Sequence, residues 1–291
     1  MEDVPVVKGR VRLPLRIGVA PYLLDHRIEG QAVLPAAEAL NALARAARED
    51  APERPVRAMA EASFPRFLPI DPGEGRIEAI CEIERRENGD RVCRLLTESV
   101  SRSGRIRRAK EHAAVRFRGE APGIPVLRLE QASRLAGEGF RVSPGRLYRE
   151  LIPFGPAYRN VLDGTLVLSE AGAVAQVSGG SVAGAAGVLG SPFPMDAAIH
   201  CACAWGQRYA GVVAFPVGFA ERFIFRPVAA GETCFTRILP AGARERALIF
   251  DLWIYGPDGA PREALLGAAM KDVTAGRLKP PAWVRAPHSG D

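Results

Sequence analysis

Two segments of helical spacing stand out in this chain against long strand-like runs. Between residues 35 and 48, Ala36, Ala39, Leu40, Leu43 and Ala47 recur every three or four positions, the spacing of one helix face. Pro35 suits the start of that helix, where the first N–H groups have no intrahelical partner and a missing one costs nothing. The second segment, residues 194–209, has a different pattern. Met195-Asp196-Ala197-Ala198-Ile199-His200-Cys201-Ala202-Cys203-Ala204-Trp205 is small or apolar on nearly every side, as a helix enclosed by a curved sheet requires. Its polar residues Asp196, His200, Cys203 and Gln207 fall on one stripe, at i, i+4, i+7 and i+11.

Runs that read as strands surround each helix: 6–16, 56–70, 76–86, 91–102 and 105–118, then 161–168, 173–178, 212–228, 232–239, 247–255 and 263–273. Glu87-Asn88-Gly89-Asp90 and Gly256-Pro257-Asp258-Gly259 supply turns. A short helix is expected at 147–152, and 179–190 reads as a small-residue loop of low information content. Strand, loop, buried helix and long antiparallel strands thus occur twice, without detectable residue identity between the copies. The pattern predicts an α+β chain of two antiparallel sheets, each wrapped around a central helix. Its parts are expected at 1–118, a linker at 119–142 with an isolated helical stretch at 127–136, a second unit at 143–277, and a disordered tail at 278–291.

With 291 residues, 47% of them hydrophobic, the chain can bury one large core or two small ones. Five cysteines without ligand spacing argue for a reducing compartment and against a disulfide framework. The opening Met-Glu-Asp-Val-Pro lacks the basic and apolar regions of a signal peptide, and no apolar run approaches the ~18 residues of a membrane span, so a cytoplasmic protein without membrane contact is expected. The net charge of +6 is concentrated at Arg102 to Arg118, which hold seven Lys or Arg and one Glu. A solvated strand face explains that patch better than a dock for an acidic partner does. Nucleic acid is the poorest reading, since no aromatic residue is interleaved before Phe117 and no zinc-finger or helix-turn-helix spacing appears.

A carboxylate is rarely buried without a partner or a function, and Asp196 sits in a very apolar helix with His200 one turn away. A solvent-facing stripe explains the pair equally well. The functional reading is a carboxylic acid whose pKa is raised by apolar surroundings, able to donate a proton near neutral pH. His26 belongs to a His-x-x-x-Gly-x-x-x-x-Pro spacing with Gly30 and Pro35: a base, a turn exposing backbone N–H, and a helix start. That spacing is expected by chance about 0.03 times in such a chain. Cys201-x-Cys203 lacks two further ligands for zinc, and no Lys and Ser/Thr follow Gly179-Gly180-Ser181-Val182-Ala183-Gly184 to make a phosphate loop. His112 is assigned to the same strand face as Lys110, Arg116 and Arg118, and His288 to the tail, so neither reads as catalytic.

Three segments in order resemble the dehydratase domain of modular polyketide synthases, and the likeness covers nearly the whole chain. The first is Pro21-Tyr22-Leu23-Leu24-Asp25-His26, running on to Gly30 and Pro35. The family's Tyr-Gly-Pro-x-Phe appears as Phe154-Gly155-Pro156-Ala157-Tyr158, and its Asp-x-x-x-Gln/His as Asp196-Ala197-Ala198-Ile199-His200. The Leu-Pro-Phe strand start has an echo in Phe215-Pro216-Val217-Gly218-Phe219. Three departures stand out: Ala36 for the Gly after the motif proline, Phe154 for the Tyr, and Ser191-Pro192 for the His-Pro that opens the third motif.

The resemblance implies a double hot-dog fold that removes water from a β-hydroxyacyl thioester and leaves an enoyl thioester. By position, His26 takes the α-proton, Asp196 protonates the departing β-hydroxyl, Gly30 offers an N–H to the thioester carbonyl, and His200 orients Asp196. Pro35, Phe154, Gly155, Pro156 and Tyr158 are expected to line the substrate pocket. No bound cofactor or metal is implied; the substrate would arrive on the phosphopantetheine arm of an acyl carrier protein, which the Arg102 to Arg118 patch could meet. Exposed edge strands and the family's habit point to a homodimer. Isomerisation or cyclisation on the same scaffold, or a catalytically silent carrier-docking module, are the alternative readings.

Overall fold

The computed structural model describes residues 7–100, 107–120, 122–124 and 126–286. The first half holds β1 (Val7–Gly18), a small hairpin of β2 (Arg27–Ile28) and β3 (Gln31–Ala32), helix α1 (Ala36–Asp50), β4 (Ala58–Ser63), β5 (Arg76–Arg86), β6 (Arg91–Val100) and β7 (Arg107–Phe117). The second holds β8 (Phe140–Val142), β9 (Leu166–Ser169), β10 (Gly172–Ser178), helix α2 (Phe193–Trp205), β11 (Phe215–Ile224), β12 (Thr233–Arg244), β13 (Ala247–Tyr255) and β14 (Pro261–Lys271). The two expected sheets are joined into one. Strand order is β1-β5-β6-β7-β4-β11-β14-β13-β12-β10-β9-β8, with the halves meeting where Ala58–Phe223 and Ser63–Gly218 pair across β4 and β11.

Each half curls around its helix. In α1, Leu40, Leu43, Ala44 and Ala47 are fully buried, and the whole helix starts one residue past Pro35, whose extended backbone leads into it. Every residue of α2 from Phe193 to Ala204 is buried, which is why its sequence has no polar side to turn outward. The helices share one hydrophobic core drawn from both halves. Asn41 of α1 ties them further by accepting the Leu189 N–H at 3.0 Å. That contact makes the 179–190 loop informative after all, since a Cβ on Gly187 would lie 2.6 Å from Asn41 Oδ1.

Several expected boundaries shift for local reasons. The 56–70 run forms a strand only to Ser63, because Pro65 and Pro69 have no N–H to give a ladder. The 119–142 segment does more than link: Phe140–Val142 adds the outermost strand of the second half, and the Leu127 carbonyl accepts the Tyr255 hydroxyl at 2.8 Å. The tail is packed, not disordered, through residue 286. Ala282–Arg285 forms a helical turn in which Val284 is fully buried and Trp283 stacks on Phe140 beneath the Arg146 guanidinium. Two apolar anchors there outweigh the proline-rich composition. His288 lies outside the described residues.

Candidate active site

His26 closes the 3-10 turn Pro21–Asp25 and opens the β2–β3 hairpin. The hairpin is a two-residue turn with Glu29 at φ 48° and Gly30 at φ 82°, a pair of left-handed positions that favours glycine at the second. His26 Nδ1 lies 3.0 Å from the Val33 carbonyl oxygen, and the Val33 N–H donates back to the His26 carbonyl at 3.0 Å. A carbonyl can only accept, so Nδ1 carries the proton and Nε2 keeps its lone pair for other work. The ring is 8% exposed, with Phe154 at 4.3 Å between centroids and the Tyr158 ring edge-on at 5.2 Å.

The first turn of α2 carries Asp196, 7% exposed, with His200 one turn on at 3%. Ser191 starts this helix: its Oγ accepts the Phe193 N–H and its O–H donates to the Gly179 carbonyl. His200 Nε2 is 3.0 Å from Asp196 Oδ2, but off the axis of a hydrogen bond, so neither atom has an aligned protein partner. Tyr148 sets the other side of that imidazole. Its hydroxyl accepts the Val161 N–H at 3.0 Å and points its own proton to His200 Nδ1 at 3.4 Å, which leaves the imidazole proton on Nε2, the nitrogen nearer Asp196. Tyr148 sits in the helical turn Leu147–Leu151 and carries no sequence signal beyond a buried aromatic with a polar tip.

His26, Asp196 and His200 open onto one cavity of ≈ 440 Å³ with mainly apolar walls, among them Leu34, Phe64, Leu95 and Ile199. Phe154 lines it and packs against both imidazoles, its ring centroid 4.3 Å from that of His26 and 5.2 Å from that of His200. Gly30 is at its rim, where Arg277 pairs with Glu29 at 2.8 Å. Of the other expected pocket residues, Pro35, Gly155, Pro156 and Tyr158 do not line the cavity. Tyr158 is fully buried behind His26, and Gly155 is consumed by a clamp between the halves. Its N–H donates to the Asp25 carbonyl, Asp25 Oδ2 accepts the Ala157 N–H at 2.9 Å, and a Cβ at 155 would overlap the Asp25 side chain.

His112 also lines the cavity, which corrects its assignment to the charged strand face. Leu95 pairs with Ala113 and Leu96 with Glu111, so His112 is the extra residue of a bulge and turns inward. Its Nδ1 donates to the Phe67 carbonyl and its Nε2 accepts from Thr97 Oγ1, which uses both nitrogens structurally. The basic patch is partly neutralised: Arg116 pairs with Glu61 and Asp90, and Arg118 with Glu221. Residues 102–106 of it lie outside the described ones.

The family model described as "Polyketide synthase dehydratase N-terminal domain" matches residues 131–280, just over half of the chain. The chain belongs to the polyketide synthase dehydratases. Members of this family remove water from β-hydroxyacyl thioesters in polyketide synthesis. Solved structures share the fold of this dehydratase. A trans-AT polyketide synthase dehydratase domain from Brevibacillus brevis is similar at TM-score 0.71 and 19% identity, covering 90% of this chain and 93% of that one. The RzxB dehydratase domain from Pseudomonas fluorescens gives 0.70 and 19%, covering 89% and 94%. The PpsC dehydratase domain from Mycobacterium tuberculosis gives 0.67 and 20%, covering 92% and 96%. No curated protein matches. No helix among the described residues is long and apolar enough to cross a membrane.

The electrostatics of this dehydratase correct one sequence expectation. Burial, the largest influence on Asp196, pushes its pKa up, but two imidazoles, His200 beside it first and then His26, favour the carboxylate more strongly and hold the carboxyl below its ordinary value. For His26, burial again acts most strongly and lowers the pKa, against the raising effect of Asp196. Apolar surroundings alone therefore misjudge Asp196, because they omit two imidazoles, one of them from the other half of the fold.

Proposed function

We propose that this chain dehydrates a β-hydroxyacyl thioester held on the phosphopantetheine arm of an acyl carrier protein, with His26 as base and Asp196 as acid. The observation that carries the reading is the opening of both side chains, one from each half, onto a single apolar cavity. His26 Nε2 removes the α-proton. Electrons move into the Cα–Cβ bond, and Asp196 gives its proton to the β-hydroxyl, which departs as water. Gly30, with its N–H at the cavity rim, takes the developing charge on the thioester oxygen. His26 then returns its proton to Asp196.

The proton inventory supports those roles. A carboxylate with an imidazolium, and a carboxylic acid with a neutral imidazole, hold the same number of protons. Mutual attraction favours the charged form, whereas burial pushes Asp196 up and His26 down, toward the neutral and reactive one. An acyl chain filling the cavity takes water from both groups, and the lost hydration favours the neutral, reactive form.

The test is a panel of β-hydroxyacyl carrier-protein thioesters, read by mass for loss of water. Wild type should lose it, and His26→Phe and Asp196→Asn should not while keeping wild-type circular dichroism. Full turnover by either variant overturns the assignment; a product of unchanged mass points instead to isomerisation or ring closure.

A further inference from the structure

The polar stripe of α2 extends past the catalytic pair. Asp196, His200, Cys203 and Gln207 all line the same cavity, so the stripe forms one wall of it. Gln207 is 1% exposed and sits in the π-helical turn Gly206–Ala210 that continues α2. Its Nε2 donates to the Leu151 carbonyl at 3.1 Å and touches Cys203 Sγ at 3.6 Å. The carbonyl fixes the orientation of the amide, since only the NH2 end can donate to it. That leaves Oε1 as an acceptor to which no described protein group donates, on a buried residue of the cavity wall. An amide oxygen in an apolar cavity is a selective feature. It rewards a ligand that brings a hydrogen-bond donor and penalises one that covers it with hydrocarbon.

We propose that Gln207 Oε1 is a recognition point for a hydrogen-bond donor, O–H or N–H, carried by the thioester substrate far from its reacting carbons. Eleven residues separate it from Asp196, about 16 Å along a helix, so its partner is not the β-hydroxyl. At that distance the donor is either a hydroxyl along a long acyl chain or an amide N–H of the pantetheine arm. Cys203, between the two ends, has its thiol pushed up to about 11 by burial and serves as a neutral spacer. The inference takes its substrate class from the dehydratase reading and nothing else.

Binding without turnover tests it. Dissociation constants are measured for saturated acyl thioesters, which lack the β-hydroxyl and cannot react. One arm compares pantetheine thioesters of equal chain length with and without a distal hydroxyl placed at successive carbons. The other compares one plain acyl chain on pantetheine and on an alkyl thiol without amides. In wild type the donor should tighten binding about tenfold in one arm, which names the source. Gln207→Leu, and Gln207→Met as a second variant of similar volume, should bring that ratio to about one. No donor preference in either arm of wild type, or a preference that survives in a folded variant, overturns the proposal. Absent turnover with a Gln207-dependent preference would sink the reaction reading and leave this one standing; normal turnover without the preference would do the reverse.

Discussion

Glu38 offers a measurable link between burial and pH. It lies half-buried in the first turn of α1, where Oε1 accepts the Tyr22 hydroxyl at 2.8 Å. Burial, opposed by that hydrogen bond and aided by the charge of Asp196, raises its pKa from 4.5 to about 7. An unfolded chain holds Glu38 near the lower value, so between the two the native state binds a proton that the unfolded state has lost. Stability must then fall as pH rises through this window. At ~1.4 kcal/mol per pKa unit the loss approaches ~3 kcal/mol, and partial exposure reduces it to about 2. Glu38→Gln keeps the shape and the acceptor for Tyr22 but cannot ionise. Urea unfolding of both proteins at pH 5 and pH 8, followed by tryptophan fluorescence, isolates the effect, because the other titrating groups are shared and cancel in the difference. The variant should gain about 2 kcal/mol on wild type between the two pH values. A difference constant within ~0.5 kcal/mol would refute the reasoning.

Gly155→Ala pushes a methyl into Asp25 and should cost about 2 kcal/mol in chemical denaturation, together with a drop in turnover, because the clamp it breaks sets the His26 loop against Phe154. Trp283→Ala removes the stack on Phe140 and the Arg146 contact at 3.6 Å, so the protein should lose about 2 kcal/mol; an unchanged melting curve would mean that the 282–286 segment is not packed. Asp196→Asn removes the charge that raises the His26 pKa, so the imidazole should titrate lower than in wild type by 1H–15N NMR, and an upward or absent shift would count against their coupling.

What the sequence carried and what it hid divide along physical lines. His26 with Gly30 and Pro35, and Asp196 with His200, are local patterns whose spacing already encodes a turn, a helix start and one helix face. The junction of the halves is not local. Ala58-Met59-Ala60-Glu61-Ala62-Ser63 has too little alternation to announce a central strand, and nothing in it points to Phe215–Ile224 as its neighbour. His112 was misplaced because side-chain facing has a period of two residues, and a single bulge reverses it for the residue concerned. Tyr148 and the Asp25 clamp make contacts across tens of residues or more, with no repeated spacing to expose them. The acidity of Asp196 is the most instructive miss, since composition reports burial around a residue but not the charges aimed at it. Burial alone would make Asp196 a standing acid. In the folded chain the imidazole of His26, from the other half, acts on it together with His200, and Phe154 packs against both of those rings. Its strength as an acid is therefore a property of the joined halves and of whatever fills the cavity, and a change at residue 154 should move it without altering His26 or Asp196.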